Sequence, residues 1–368
     1  MKSAFALAIL AMAAHAATAG KPFGISPEGK PVELFTLRNA NGMEATVMTW
    51  GATVVSLKVP DAAGHFDDVV LGFDNLEGYR GNNPYFGAIA GRYGNRIAHA
   101  KFVLHGQENR LKANNGENSL HGGERGFDKR VWTVEHADSR SATMRYISPD
   151  GEEGYPGTLT ATVRYTVTAR DELRIDYTAT SDKATVQSLT NHSYFNLSGE
   201  GSGTILDEDI QIYAGRFTPV DASMIPTGEL RSVAGTPLDF REPTRVGARI
   251  DADYDQLKLG GGYDHNWIID RARPGLVPAA RVHDPKSGRI MEVLTTQPGV
   301  QFYTANSIDG TIKGKGGKAY IRRGALCLET QHYPDSPNHP EFPSTELKPG
   351  ETFHSTTVYR FSARKSRP

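Results

Sequence analysis

The sequence predicts an all-β fold, a sandwich or barrel of many short strands, and three observations carry that reading. From Val32 onward apolar and polar residues alternate with a period of two, in runs rich in β-branched side chains. Turn signals such as Asp150-Gly151, Asp309-Gly310 and Pro349-Gly350 separate the runs. No stretch carries a sustained helical stripe closed by caps at both ends.

Residues 1–19 stand apart from this pattern. Lys2, an apolar run over 4–14 and then Ala17-Thr18-Ala19 give the basic start, short apolar core and small-x-small end of a secretory signal peptide. The run is too short for a membrane span, so export to the periplasm or the medium is expected, with a soluble mature chain beginning near Gly20. Strands are then expected at 45–50 and 53–59, broken at Gly51, and at 131–136, 142–147, 158–168, 173–179 and 184–190. Others follow at 209–213, 291–296, 301–304, 325–331 and 352–362. Short helical turns fit 75–80 and 246–250, and the Pro-, Gly- and Asp-rich 214–262 reads as long loops. No linker, composition shift or repeat divides the chain, so 20–368 is expected to form one large β domain. A formal charge of −1 over 368 residues gives no global field that would recruit nucleic acid or a membrane surface. The single cysteine, Cys327, excludes an internal disulfide and a cysteine-based zinc site. Its neighbours Ala325, Leu326 and Leu328 predict that it is buried.

The chemically dense stretch is Ser188-Leu189-Thr190-Asn191-His192-Ser193-Tyr194-Phe195-Asn196-Leu197. If extended, it puts Thr190, His192, Tyr194 and Asn196 on one face, too polar for a core and too aromatic for a plain solvated surface. A small-molecule site wants that mixture on a rigid element. Four other stretches are comparably dense. Gly91-Arg92-Tyr93-Gly94-Asn95-Arg96-Ile97 lacks the Gly-Lys-Ser/Thr ending of a phosphate loop, but its arginines suit hydroxyls or an acid. Asn118-Ser119-Leu120-His121-Gly122-Gly123 sets a histidine before two flexible residues, and Gly262-Tyr263-Asp264-His265 sets an acid between a glycine and aromatics. Glu329 lies inside the apolar run Ala325-Leu326-Cys327-Leu328-Glu329-Thr330-Gln331, and a carboxylate is seldom buried without a job or a partner. Three readings stay open at this level. Glu329 acts in chemistry, or balances Arg96 as a buried ion pair, or joins His121 and His192 around a metal, although no HxxxH-type spacing supports the last.

Taken in order, Asn95-Arg96-Ile97, Leu120-His121-Gly122-Gly123, Asn191-His192-Ser193-Tyr194-Phe195-Asn196-Leu197, Tyr263-Asp264-His265-Asn266 and Leu328-Glu329-Thr330-Gln331 resemble the motifs of aldose 1-epimerases (galactose mutarotases). So do Gln297-Pro298-Gly299-Val300-Gln301 and Phe342-Pro343, and the likeness runs from about Phe35 to Phe361. The resemblance implies a large antiparallel β-sandwich, a galactose mutarotase-like supersandwich, with a cleft across one sheet. It implies His192 as general acid, Glu329 as general base, and Asn95, Arg96, His121, Asp264 and Gln301 as sugar-binding residues. Tyr194 joins them through its shared face with His192. The chain departs from the pattern at Ala305-Asn306-Ser307, where such enzymes often carry Gly-Asn-Phe, and in its signal peptide.

The implied reaction interconverts the α and β anomers of free hexoses such as galactose or glucose. It takes a proton from the anomeric hydroxyl and gives one to the ring oxygen, then reverses the roles on closure. A carboxylate and an imidazole suffice, so no metal or cofactor is required, and the expected partner is a monosaccharide. A histidine titrating near 6.5 needs little shift for this work. Alternatives are a non-catalytic carbohydrate-binding or sensing protein and a sugar-phosphate epimerase on the same fold.

Overall fold

The structure, a computed structural model, describes residues 19–81 and 83–364. The expected signal peptide therefore lies outside the described residues, apart from Ala19. The fold is all-β and antiparallel. A sheet of nine strands runs in the order Thr133–Ala137, Ser141–Ser148, Leu159–Val167, Glu172–Ser181, Phe353–Ala363, Arg289–Thr295, Val277–His283, Asp209–Ile212 and Thr244–Arg245. A five-stranded amino-terminal meander, Lys21–Ile25 to Phe66–Asp68, forms a second sheet. The third, which positions the site, has the order Arg231–Ser232, Arg216–Thr218, Asp264–Ile268, Gly299–Tyr303 and Cys327–Gln331.

The period-two pattern does what it predicts in the nine-stranded sheet. Leu159, Ala161, Val163, Tyr165 and Val167 are buried, while Thr160, Thr162, Arg164 and Thr166 alternate outward. One apolar cluster joins these residues to Leu37, Val47 and Leu57 of the meander and to Trp267, Val300, Phe302 and Leu328 of the third sheet. Tyrosines tie the layers across the core. The Tyr359 hydroxyl donates to the Leu328 carbonyl at 3.1 Å, and the Tyr165 hydroxyl to the Ala52 carbonyl at 2.5 Å. Such partners matter because leaving a buried hydroxyl unpaired costs about 1–3 kcal/mol.

Several expectations need correction. The stretch 184–190 is not one strand: Thr185–Val186 pairs with Glu346–Leu347, and Thr190–Asn191 pairs with Ile89–Ala90. Beyond Asn191 the chain leaves the strand, because the Asn191 side chain turns back on its own backbone. Its Oδ1 accepts from the Ser193 amide at 3.2 Å and hydroxyl at 2.6 Å, a local bond that competes with a ladder. Val277–His283 and Asp264–Ile268 are strands whose sequences hide them. Pro278 sits at a register shift, and Asp264-His265-Asn266 are weak strand formers held by their neighbours on both sides. Residues 214–262, expected as loops, also contain Arg216–Thr218 and the helix Asp255–Gly260. The turns at 75–80 and 246–250 appear as Leu76–Arg80, capped by the Asn75 side chain, and Val246–Ala248.

The pleat gives a paired prediction on one strand. Phe302 points into the core among Phe240, Tyr263 and Trp267, whereas the next residue, Tyr303, faces the opposite way. Phe302→Ala should lower unfolding stability by about 3–5 kcal/mol. Tyr303→Ala should cost much less in a denaturant melt, and comparable losses at both positions would contradict this register.

Candidate active site

Two rungs of the third sheet build one wall of the site. Directly paired antiparallel residues share a face. Asp264 pairs with Tyr303 and Tyr303 with Cys327, and the next rung is Asn266, Gln301 and Glu329. Their neighbours Trp267, Val300, Phe302 and Leu328 face the core, so the polar set faces away from it. Cys327 is buried as expected, and burial pushes its thiol well above the usual range. Gln301 does not reach the cavity. It stands behind Asp264 and donates from Nε2 to Asp264 Oδ1 at 2.7 Å.

The opposite wall comes from loops. Asn95, His121 and Tyr85 all line the cavity and all have left-handed backbone, with φ of 62°, 51° and 65°. Such conformations cost non-glycine residues about 1–3 kcal/mol each and need support from their surroundings. Here the support is reciprocal. The His121 amide donates to the Asn95 carbonyl at 2.9 Å, and the Asn95 amide donates to His121 Nδ1 at 3.1 Å. Gly122 makes this approach possible, because a Cβ there would lie 1.8 Å from the Gly91 carbonyl oxygen. Arg96 is aimed by Asn115, whose Oδ1 accepts from Nε at 3.0 Å.

Between the walls lies a cavity of about 300 Å³, within the range of small-molecule sites. At its base His192 Nε2 is 3.5 Å from Glu329 Oε1, and both side chains are almost fully buried. The Tyr194 ring stacks on the imidazole at 5.0 Å. The structure thus brings together Asn95, Arg96, His121, His192, Tyr194, Asp264 and Glu329 from stretches more than 200 residues apart. Sequence reasoning missed Tyr85, Asn115 and Tyr303, which also line the cavity. Tyr303 was accessible from its alternation with Gln301, but nothing local flagged Tyr85 or Asn115. The divergent Ala305-Asn306-Ser307 segment contributes Asn306 and Ser307 to the lining.

Glu329 forms no ion pair with Arg96; the titratable group beside it is the His192 imidazole, 3.5 Å away. The electrostatics also overturn the expectation that the histidine needs little shift. Burial pulls His192 down to about 4. Burial, reinforced by Asp264 and opposed by Arg96, holds the Glu329 carboxyl well above the usual carboxylate range. Burial thus works against the charged form of both groups, favouring a protonated carboxyl beside a neutral imidazole over an ion pair. Asp264 is also raised, by burial, with Arg96 and Gln301 opposing. His121 is kept neutral by burial and by repulsion from His192, Arg96 and Lys129.

His121, His192 and Glu329 place one potential ligand atom each within 4.8 Å of one another, close enough to share a single metal ion. The hydrogen bonding of His121 does not fit that use. Its Nδ1 accepts from a backbone amide, so the neutral ring carries its proton on Nε2 and offers the cavity an N–H donor. Histidine ligands have the reverse arrangement, donating through the nitrogen that does not bind the metal.

Fold and cavity define an all-β protein with a buried carboxyl–imidazole pair at the base of a polar, aromatic-edged pocket. The aldose 1-epimerase family model matches residues 33–360. A galactose mutarotase of Bos taurus is 48% identical over 92% of this chain and 97% of its own length. An aldose 1-epimerase of Escherichia coli K12 is 40% identical over 92% and 98%. Among solved structures, an aldose epimerase homologue from C. elegans aligns with a TM-score of 0.84 at 31% identity, over 91% of this chain and 100% of that one. The chain belongs to the aldose 1-epimerase family.

Proposed function

We propose that this protein is an isomerase that interconverts the α and β anomers of free hexoses, galactose and glucose among them, with Glu329 and His192 as its acid/base pair. The observation that carries the mechanism is the 3.5 Å approach of these two groups, both almost fully buried. Ring opening removes a proton from the anomeric hydroxyl and supplies one to the ring oxygen. A pair that holds a single proton always contains one acid and one base, whichever member carries it. Sugar hydroxyls entering the cavity hydrogen-bond the charged forms and make carboxylate and imidazolium accessible. Glu329 then takes the anomeric proton while His192 protonates the ring oxygen, and rotation about C1–C2 followed by the reverse transfers closes the other anomer. Proton count is restored at each turnover, so the chemistry calls on no cofactor.

Around the pair, Arg96 and the Nε2–H of His121 are donors for sugar oxygens, and Asp264, steadied by Gln301, accepts from a hydroxyl. Among the described residues Arg96 is the one cationic side chain lining the cavity. That favours a neutral sugar over a sugar phosphate, which would call for several cations around its anionic oxygens. A protein that only binds sugar would leave anomer exchange at its uncatalysed rate, and polarimetry of fresh α-glucose and α-galactose separates the two readings.

Export is proposed as well, on the basic–apolar–small order of residues 1–19. Amino-terminal sequencing of protein from the periplasm or medium should start near Gly20, and a start at Met1 would refute it.

The rate should follow a bell-shaped pH profile. Below about 4 both His192 and Glu329 are protonated and no base remains. The alkaline limb, where the pair loses its last proton, should lie above the normal carboxylate range because Glu329 is raised. A profile without limbs, after subtraction of the uncatalysed rate, would remove these groups as acid and base.

Glu329→Gln keeps size and removes the base. Turnover should fall by roughly two to four orders of magnitude, with sugar affinity within a few-fold and an unchanged melt, since the amide mimics the protonated carboxyl already favoured there. A stable variant with near-normal turnover would end the mechanism.

A further inference from the structure

His192 is flanked by two aromatic rings, and they come from different parts of the chain. Tyr194 lies 5.0 Å away at an interplanar angle of 14°, and Tyr85 lies 5.8 Å away at 17°. Both are offset-stacked geometries in which the electron-rich faces of the phenols lie alongside the imidazole. Tyr85 also contacts His121, ring to ring at 4.6 Å. Its placement is enforced. The backbone is left-handed at Tyr85 and again at Gly87, where a Cβ would lie 2.0 Å from the Val54 carbonyl oxygen. The same loop is laced to the histidine's own backbone. Gly87 N–H donates to the His192 carbonyl at 3.0 Å, and His192 N–H donates to the Ala88 carbonyl at 2.9 Å. A strained residue locked to the chain segment of a catalytic histidine, with its ring along the imidazole, is more than lining.

We infer that Tyr85 is a positioning residue that, together with Tyr194, holds the His192 imidazole in register with Glu329 and stabilises its protonated form during turnover. This rests on the acid/base role proposed for His192. The physical basis is the attraction of a cation for an aromatic face, which gains strength where water is excluded. It opposes the burial that drives His192 toward neutrality. The phenol itself stays protonated, because burial and nearby Asp128 raise it far above neutral pH. Other groups also bear on the pair. Glu329 faces the imidazole directly, and the neutral His121 ring meets it edge-on at 5.0 Å. Arg96 and Asp264 act on Glu329 with opposite sign. Lys129, 5.3 Å over the Tyr85 ring and paired with Asp128, stands on the Tyr85 side. Burial, rather than Lys129 or Asp128, accounts for the lowering of His192, which leaves the ring as the element to test.

The test compares Tyr85→Phe, which keeps the aromatic face, with Tyr85→Leu and Tyr85→Met, which fill the space without one. The readouts are pH–rate profiles and the NMR titration of the His192 ring. In the aliphatic variants kcat should fall about three- to thirtyfold, and the acid limb should move down by roughly half to one and a half pH units. The alkaline limb, set by Glu329, should stay in place. Tyr85→Phe should restore the position of the acid limb. An unmoved His192 titration in whichever aliphatic variant folds, or the same shift in Tyr85→Phe, would overturn the inference. The direct titration separates this failure from that of the proposed function. If His192→Asn retains turnover, the acid/base reading falls, whatever Tyr85 does.

Discussion

The cavity depends first on the pairing register of Gly299–Tyr303 with the strands on either side. Antiparallel pairing fixes which residues share a face, and a slip of one residue would exchange the two faces entirely. In the register observed, Glu329, Gln301 and Asn266 form one rung and Cys327, Tyr303 and Asp264 the next. The opposite face is then occupied by Trp267, Val300, Phe302 and Leu328, which the core requires. Hydrophobic burial on one side of the sheet therefore sets the position of the carboxylates on the other. The position of Glu329 is specified by packing on the far face of its sheet.

A second constraint is electrostatic. Burying a carboxyl and an imidazole side by side disfavours both charges, raising Glu329 and lowering His192, so that the pair favours one shared proton over an ion pair. That arrangement suits a reaction that moves protons without consuming any. It also explains why the surrounding polar groups are so firmly held. Asp264 is steadied by Gln301, Arg96 by Asn115, and His121 by a backbone amide, so the polar lining is set in place by the protein itself.

Much of this was legible in the sequence, and the exceptions have physical causes. Alternation exposed the long strands such as Leu159–Val167, whose two faces see different solvents. It failed for Asp264–Ile268, which opens on the weak strand formers Asp264-His265-Asn266, and for Val277–His283, interrupted by Pro278. His192, Glu329, Arg96 and Asp264 were recognisable because polar groups stood where an apolar pattern, or a resemblance, made them conspicuous. Tyr85 was not, since an aromatic in a Pro- and Gly-rich loop looks the same whether it packs or works. The roles of Gln301 and of the histidine's protonation depend on three-dimensional neighbours, which no local pattern contains.

The strand order of the large sheet carries a consequence for how the molecule is made. Phe353–Ala363 lies at its centre, hydrogen-bonded to Glu172–Ser181 on one side and Arg289–Thr295 on the other. Every other strand of that sheet precedes it in the chain. During synthesis, two half-sheets therefore wait with open edges until the joining strand emerges, and each edge is a template for pairing with the wrong neighbour. The large sheet is closed from the middle by the strand that follows its other members in the chain, so a chain interrupted before that strand yields two sticky half-sheets instead of a smaller enzyme.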